Sequence, residues 1–231
     1  MYTLTGVSKI FRNSGETVHA LRAVDLEIGD GQMVTIQGRA GAGKSALVRI
    51  LGAADRPTSG SVLLGQEDLA EATDKRLDLL RAGDIGVVSG SPRLFPTLTA
   101  EENVELTLVR LGIAAPARRG AAHAALVAVG MADHARELAA RLTGVERQRV
   151  AIARAMVRSP QVLLADEPTG GLDEAGREAI LAVIDGVRRE PEHGVTVVVA
   201  TRDPAVAARA ERLLLLDRGT VLEAAPMSRA A

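Results

Sequence analysis

The sequence predicts an α/β fold, and three observations carry that prediction. Short β-type runs alternate with helical stretches along the chain. The buried-type run at residues 33–37 is followed at once by a glycine-rich stretch and an apolar helix. Two further runs read as strands: 162–166, of buried type and ending in acid, and 196–200, rich in β-branched residues.

Each element follows from its own residues. Residues 2–11 and 18–28 read as strands of an N-terminal antiparallel portion, joined by the polar turn Asn13-Ser14-Gly15-Glu16. Arg56-Pro57-Thr58-Ser59-Gly60 is turn chemistry. Ile85-Gly86-Val87-Val88 is a further strand. Residues 100–158 read as mostly helical, with breaks expected at Gly112, Pro116, Gly130 and Gly144. In residues 174–189, Ile180, Val183, Ile184 and Val187 fall at i, i+3, i+4 and i+7, which predicts an amphipathic helix. Residues 213–216 and 220–222, around Asp217-Arg218-Gly219, read as a closing hairpin. The Ala/Arg tail from Ala224 reads as frayed.

Composition excludes several functions. The 231 residues carry 28 Lys plus Arg against 29 Asp plus Glu, a net charge of −1, which argues against a nucleic-acid partner. With no cysteine there is no disulfide framework, zinc-thiolate site or thiol chemistry. No apolar run approaches the roughly 18 residues of a membrane span, and the N-terminus shows no signal-peptide pattern. The expectation is a cytoplasmic chain. The aromatic residues are Tyr2, Phe11 and Phe95, and the lysines are Lys9, Lys44 and Lys75.

One of those scarce lysines closes a phosphate-binding pattern. Gly38-Arg39-Ala40-Gly41-Ala42-Gly43-Lys44-Ser45 fits G-x-x-x-x-G-K-[ST]. Glycines let successive N–H groups face the β-phosphate, and the helix beginning near Lys44 adds its positive end. Lys44 is expected to reach the β- and γ-phosphates, and the Ser45 hydroxyl to ligate Mg²⁺. At this composition, two glycines, a lysine and a Ser/Thr at those offsets arise by chance at about 10⁻⁵ per start. An incidental lysine in a glycine-rich turn is therefore the far weaker explanation. About 120 residues downstream, Asp166-Glu167 closes the apolar strand ahead of Pro168. Asp166 is placed to hold Mg²⁺ through water and Glu167 to polarise an attacking water, so ATP and Mg²⁺ are the expected ligands.

Several stretches together resemble the ATP-binding subunits of ABC transporters. Leu163-Leu164-Ala165-Asp166-Glu167-Pro168-Thr169-Gly170-Gly171-Leu172-Asp173 resembles their Walker B segment and D-loop. Gln148-Arg149-Val150-Ala151-Ile152-Ala153-Arg154-Ala155 resembles the helix after their signature. Asp55-Arg56-Pro57-Thr58-Ser59-Gly60 and Leu98-Thr99-Ala100-Glu101-Glu102-Asn103-Val104 are similar to the branch serving lipoprotein release and macrolide export. The resemblance spans essentially the whole chain. It implies a single domain with a P-loop NTPase, RecA-like core and the antiparallel portion at 1–90 and 159–223, an inserted helical subdomain at 91–158, and a tail at 224–231. It also implies a head-to-tail homodimer or heterodimer with another ABC ATPase, sandwiching two ATP molecules. The helical subdomain would contact an integral membrane permease, holding the chain at the inner face of the membrane. Phe11 falls where the family stacks an aromatic on adenine. Thr143, Gly144 and Asp173 fall at nucleotide-contacting positions of the signature and D-loop.

Three family positions depart. Where the Q-loop carries Gln, this chain has Gly90, after Ile85-Gly86-Val87-Val88-Ser89; Gly90 has no side chain, and no Gln is expected nearby to take over. The signature Leu-Ser-Gly-Gly-Gln reads Leu142-Thr143-Gly144-Val145-Glu146. Val145 adds a β-branched side chain where backbone must approach phosphate, and Glu146 adds a charge repelled by an anion by about 1 kcal/mol at about 4 Å in bulk water. Arg202 stands at the switch-histidine position, while the histidines lie at 19, 123, 134 and 193. Arginine, always charged and planar, could hold the γ-phosphate or pair with Glu167. The expectation is retained MgATP binding with weakened hydrolysis, since losing one γ-phosphate stabiliser lowers rates about 10²–10³-fold. The competing expectation is a nucleotide-gated binding or regulatory subunit with little or no turnover.

Overall fold

The computed structural model describes residues 1–13, 16–109, 111–188 and 194–223. The expected turn at 13–16 falls partly outside these residues, and the tail from Ala224 wholly so. Along the chain the elements are β1 (Tyr2–Asn13), β2 (Glu16–Ile28), β3 (Met33–Gln37), α1 (Lys44–Leu51), β4 (Ser59–Leu64), β5 (Glu67–Asp68) and α2 (Asp74–Gly83). There follow β6 (Ile85–Ser89), α3 (Ala100–Val109), α4 (Ala115–Ala128), a 3₁₀ turn (Ala132–His134), α5 (Gly144–Met156) and β7 (Val162–Asp166). The chain closes with α6 (Glu174–Arg188), β8 (Thr196–Thr201), α7 (Pro204–Ala207), β9 (Arg212–Asp217) and β10 (Thr220–Glu223).

Contacts divide the chain into two compact units. The first holds Met1–Arg81, Leu164–Glu167 and Thr196–Ala231. It contains an antiparallel sheet of order β2-β1-β4-β5. It also contains the run β10-β9-β3-β8, beside which lies the end of β7. Strand β3 pairs in parallel with β8 and β9, whereas β10 returns antiparallel on β9. Every residue of β8 is buried, as fits a strand of Thr, Val and Ala covered on both faces. The register sets Ile36 opposite Ala200 and Gln37 opposite Thr201, so β3 and β8 end at the same level. Loops leaving those carboxyl ends share one edge, the place where parallel α/β sheets build ligand sites.

The hairpin from β9 to β10 turns on Arg218 and Gly219, both at positive φ (46° and 82°), the geometry of a two-residue hairpin loop. Tyr2 fastens β1 to the end of α1: its hydroxyl, almost wholly buried, donates to the Leu51 carbonyl at 2.7 Å. Burial pushes its ionisation far above the ordinary range, so it stays a donor. Lys9 is similarly committed, with Nζ 2.6 Å from Asp55 Oδ1 and 2.8 Å from the Arg56 carbonyl. The Arg56 guanidinium in turn donates to the carbonyls of Ala70 and Ala72 and to Asp74.

The second unit, Ala82–Leu163 and Pro168–Val195, contains β6 beside the start of β7 and helices α3 to α6. Helix α5 packs on α3, α4, α6 and β6. The expected helical stretch 100–158 divides differently from the sequence reading. Gly112 and Gly130 do lie between helices, at φ 68° and 69°. Pro116 instead sits in the first turn of α4, where its missing N–H has no helical partner to lose. Gly144 likewise opens α5. Residues 135–143 are not helical. Strand β4 begins at Ser59, inside the expected turn, and β4, β5 and α2 fill a region left unassigned by the sequence reading.

Replacing Tyr2 by Phe removes the donor to a buried carbonyl. Urea unfolding is expected to show a loss of about 1–3 kcal/mol with an unchanged slope.

Candidate functional site

The site is built where β3 ends. Gly38 N donates to the Thr201 carbonyl at 3.2 Å, which ties the start of the loop to the end of β8. Gly43 ends the loop at φ 108° as the cap of α1, and a Cβ there would lie 2.2 Å from the Ala20 carbonyl oxygen. A Cβ on Gly38 would lie 2.5 Å from the Leu216 carbonyl oxygen. Glycine is required at both positions for that reason. Gly219 N donates to the Ala42 carbonyl at 3.0 Å, and Arg22 N to the Gly219 carbonyl at 2.8 Å. The hairpin tip and β2 thus brace the loop from behind. Along the loop, Gln37, the stretch 38–42, Arg202 and Leu215 to Arg218 line an open cleft of about 720 Å³.

Lys44 leaves the first residue of α1 and folds over its own loop. Its ammonium donates to the carbonyls of Gly38 at 2.7 Å and Arg39 at 3.1 Å, and lies 3.5 Å from Glu167 Oε1. Its side chain is 6% exposed, so these partners are what make a buried charge tolerable. Ser45 follows, exposed at the next position of α1.

The end of β7 brings the two acids. Glu167 N donates to the Ala200 carbonyl at 2.8 Å, which extends the pairing with β8 by one residue. Glu167 takes φ 52°, a conformation costing a residue with a Cβ about 1–2 kcal/mol. Its carboxylate meets four donors. Oε1 lies 3.1 Å from Arg202 Nε, besides Lys44. Oε2 accepts from Arg202 N at 3.1 Å and from Thr201 Oγ1 at 3.4 Å. Arg202 thus pairs with Glu167 through both its side chain and its backbone N–H.

Asp166 Oδ1 is buried and has no hydrogen-bond partner. An orphaned carboxylate oxygen at a strand end, on the acid that precedes Glu167, fits a divalent cation or its water. Asp166 and the Ser45 hydroxyl, a hard-oxygen set, would hold Mg²⁺, which would screen phosphate charge when bound.

Phe11 lies on β1 opposite Val18 and is 37% exposed, with Lys9 Nζ 5.1 Å from its ring centroid. This leaves ring surface open to solvent.

The remaining candidates belong to the second unit. Thr143 caps α5 in a reciprocal box: its hydroxyl accepts from Glu146 N at 3.3 Å, and its own N donates to Glu146 Oε2 at 2.7 Å. Glu146 is therefore a helix-capping residue. The backbone N–H of Thr143 holds its carboxyl below the usual glutamate range, opposed by partial desolvation. The Thr-x-x-Glu spacing that signals such a box is present in the sequence and was readable there. A second box joins Thr99 and Glu102 ahead of α3. The signature substitution has a local counterpart too. Val145 Cγ2 lies 2.8 Å from where a Cβ on Gly176 would sit, so the valine packs on α6. Asp173 Oδ1 accepts from Gly176 N at 2.8 Å at the start of α6. Near Gly90, the buried Gln148 donates to the Ser89 carbonyl at 3.1 Å, and Arg154 donates to the carbonyls of Pro92 and Arg93. This corrects the expectation that no glutamine lies near Gly90: α5 brings one beside the Q-loop in space, because the fold packs α5 against β6. Its pairing to a strand 59 residues away has no sequence signal.

A glycine-bound loop opening a helix, a lysine folded over it and paired acids at the neighbouring strand ends define a P-loop nucleotide site. Comparison with known proteins agrees. Residues 21–170 match the ABC transporter family model. The Bacillus subtilis ABC transporter ATP-binding protein YknY is 40% identical over 97% of this chain and 96% of its own length. The Salmonella typhi macrolide export ATP-binding/permease protein MacB is 37% identical over 96% of this chain, which spans 34% of MacB. The dimeric post-hydrolysis structure of the ATP-binding cassette MJ0796 bound to ADP and Pi superposes with a TM-score of 0.88 at 36% identity, covering 97% of this chain and 98% of that one. The chain belongs to the ABC transporter ATP-binding family, with that family's P-loop NTPase fold. Among the described residues, no helix is long and apolar enough to cross a membrane.

Replacing Glu146 by Ala removes half of the α5 capping box. Thermal or urea unfolding is expected to show a loss of about 1 kcal/mol at pH 7. Because the folded-state carboxyl is held below its ordinary value, its contribution is present above the unfolded value and fades as pH falls through the folded one. The difference between wild type and Glu146→Ala is therefore expected to shrink in acid.

Proposed function

We propose that this chain is the ATP-binding subunit of an export-type ABC transporter. It binds MgATP at the interface of a dimer and couples binding and hydrolysis to an integral membrane permease, which holds it at the inner face of the cell membrane. The observation that carries this reading is Lys44. Its buried ammonium is held by two carbonyls of its own loop and by Glu167, beside an Asp166 oxygen without a partner. A triphosphate would supply the charge that Lys44 is placed to meet, and the Asp166 carboxylate would hold Mg²⁺. In this reading Gly38 to Gly43 cradle the phosphates with their N–H groups, Ser45 and Asp166 bind the metal, and Phe11 stacks on the base. Thr143, Gly144 and Asp173 serve the nucleotide bound by the opposite subunit. The macrolide-export relatives and the dimeric cassette support the export and dimer assignments.

The core comprises 1–90 and 159–223, with 91–158 as the helical subdomain that meets the permease. Hydrolysis is slow, because Gly90, Val145 and Arg202 replace groups that convert binding into turnover. The pairing of Arg202 with Glu167 favours a second reading at the same site: a subunit whose dimer closes on ATP while hydrolysis is slow or left to another ATPase subunit.

Purified chain is expected to bind ATP saturably with Mg²⁺, and Lys44→Ala to weaken binding by about tenfold or more. Glu167→Gln is expected to keep binding and lower phosphate release by about 10²-fold. Calorimetry and a phosphate-release assay, with and without the permease, measure both. Absence of saturable ATP binding by the wild-type chain overturns the assignment.

A further inference from the structure

Glu167 is the acid placed to take a proton from water, yet each of its carboxylate oxygens already accepts hydrogen bonds or faces a cation. Oε2 accepts from two groups of the β8 end, Arg202 N and Thr201 Oγ1. Oε1 faces Lys44 Nζ at 3.5 Å and Arg202 Nε at 3.1 Å. A carboxylate has about four lone-pair directions; three here accept hydrogen bonds, and the Lys44 ammonium stands 3.5 Å from Oε1. A general base needs one of those directions free and within reach of the water.

The contacts differ in how they can open. Those on Oε2 are anchored by a backbone amide and by a fully buried threonine. Lys44 has the loop carbonyls as alternative partners, and in the proposed complex the triphosphate as well. Arg202 Nε is the solvent-facing contact, on a side chain 61% exposed against 24% for Glu167.

We infer that Arg202 is a positioning residue that brakes hydrolysis: its guanidinium occupies the Oε1 face of Glu167, and turnover waits for that contact to open. The inference rests on the proposed ATPase reading. In the restrained step the oxygen of water bonds to the γ-phosphorus while its proton passes to Glu167. The bond from that phosphorus to the bridging oxygen breaks, and its electron pair leaves on ADP. A neutral side chain at position 202 leaves the Oε2 contacts in place and removes the charge held against Oε1.

The test measures kcat and KM for ATP on the full chain, for wild type, Arg202→His, Arg202→Gln and Arg202→Lys. ADP binding and thermal melting serve as checks on folding. Arg202→His and Arg202→Gln are expected to raise kcat by about fivefold or more with KM within about twofold. Arg202→Lys, which keeps the charge, is expected to stay near wild type. About 0.5 M KCl is expected to raise kcat of wild type relative to Arg202→His, because an exposed ion pair is screened. Adding Glu167→Gln is expected to abolish the gain. Should Arg202→His fail to fold, Arg202→Gln decides. An unchanged or lower kcat in the folded neutral variants overturns the brake, and a lower one points instead to a phosphate contact. A gain that survives Glu167→Gln also overturns it. Loss of ATP binding in the wild type would instead sink the underlying assignment, so the two failures are distinct.

Discussion

The carboxylate of Glu167 stands between two cations, Lys44 at 3.5 Å and Arg202 at 3.1 Å. Much of the first unit is arranged around that meeting. Lys44 comes from the first turn after β3, Glu167 from the residue after β7, and Arg202 from the residue after β8. Parallel pairing brings the ends of β3 and β8 level, and the Glu167 N–H bonds β8 at Ala200. Without that register, three charges scattered over 159 residues would not share a carboxylate. The arrangement also explains how a lysine only 6% exposed is accommodated: two carbonyl dipoles and an anion offset its desolvation.

The loop that carries Lys44 is held as firmly as its contents. Gly38 and Gly43 each back onto a carbonyl that a Cβ would strike, from Leu216 and Ala20 respectively. The hairpin tip adds a direct bond through Gly219 to Ala42. Backbone N–H groups can cradle phosphate only if the loop is fixed beforehand, since ordering it at the moment of binding would subtract from affinity. The closing hairpin, which had no functional reading as sequence, thus acts as a support for the loop. Glu167 at positive φ is another local strain that the neighbouring β8 contacts sustain.

The departures from the family pattern are not equivalent in physical terms. Glu146 reads as an unfavourable charge when the signature is taken as a string of letters. In the fold it completes a capping box with Thr143. Val145 directs a methyl towards Gly176, a position whose lack of side chain admits it. Gly90 leaves a backbone segment without a side chain, but the preceding carbonyl is held by Gln148. These substitutions have local compensation. Arg202 differs, because its partner is the acid expected to act on water.

The sequence by itself determined the P-loop, the acid pair, the strands β3, β7 and β8, helix α6 and the closing hairpin. These are legible because they rest on local rules: glycine where φ is positive, lysine at a fixed offset, apolar runs of strand length and helical periodicity. Thr143-x-x-Glu146 was equally local and could have been read as a cap. Strand β4 and helix α2 were harder. In β4 only Val62 and Leu64 are buried, and in α2 only Leu77 and Leu80, so little apolar pattern marks either. The tertiary structure alone showed that Arg202 pairs with Glu167, that Gln148 reaches Ser89, and that Gly219 braces Ala42. Each joins residues far apart in the chain through hydrogen bonds whose existence depends on strand order and register. No local propensity encodes that geometry, because the same side chains on a differently ordered sheet would meet other partners.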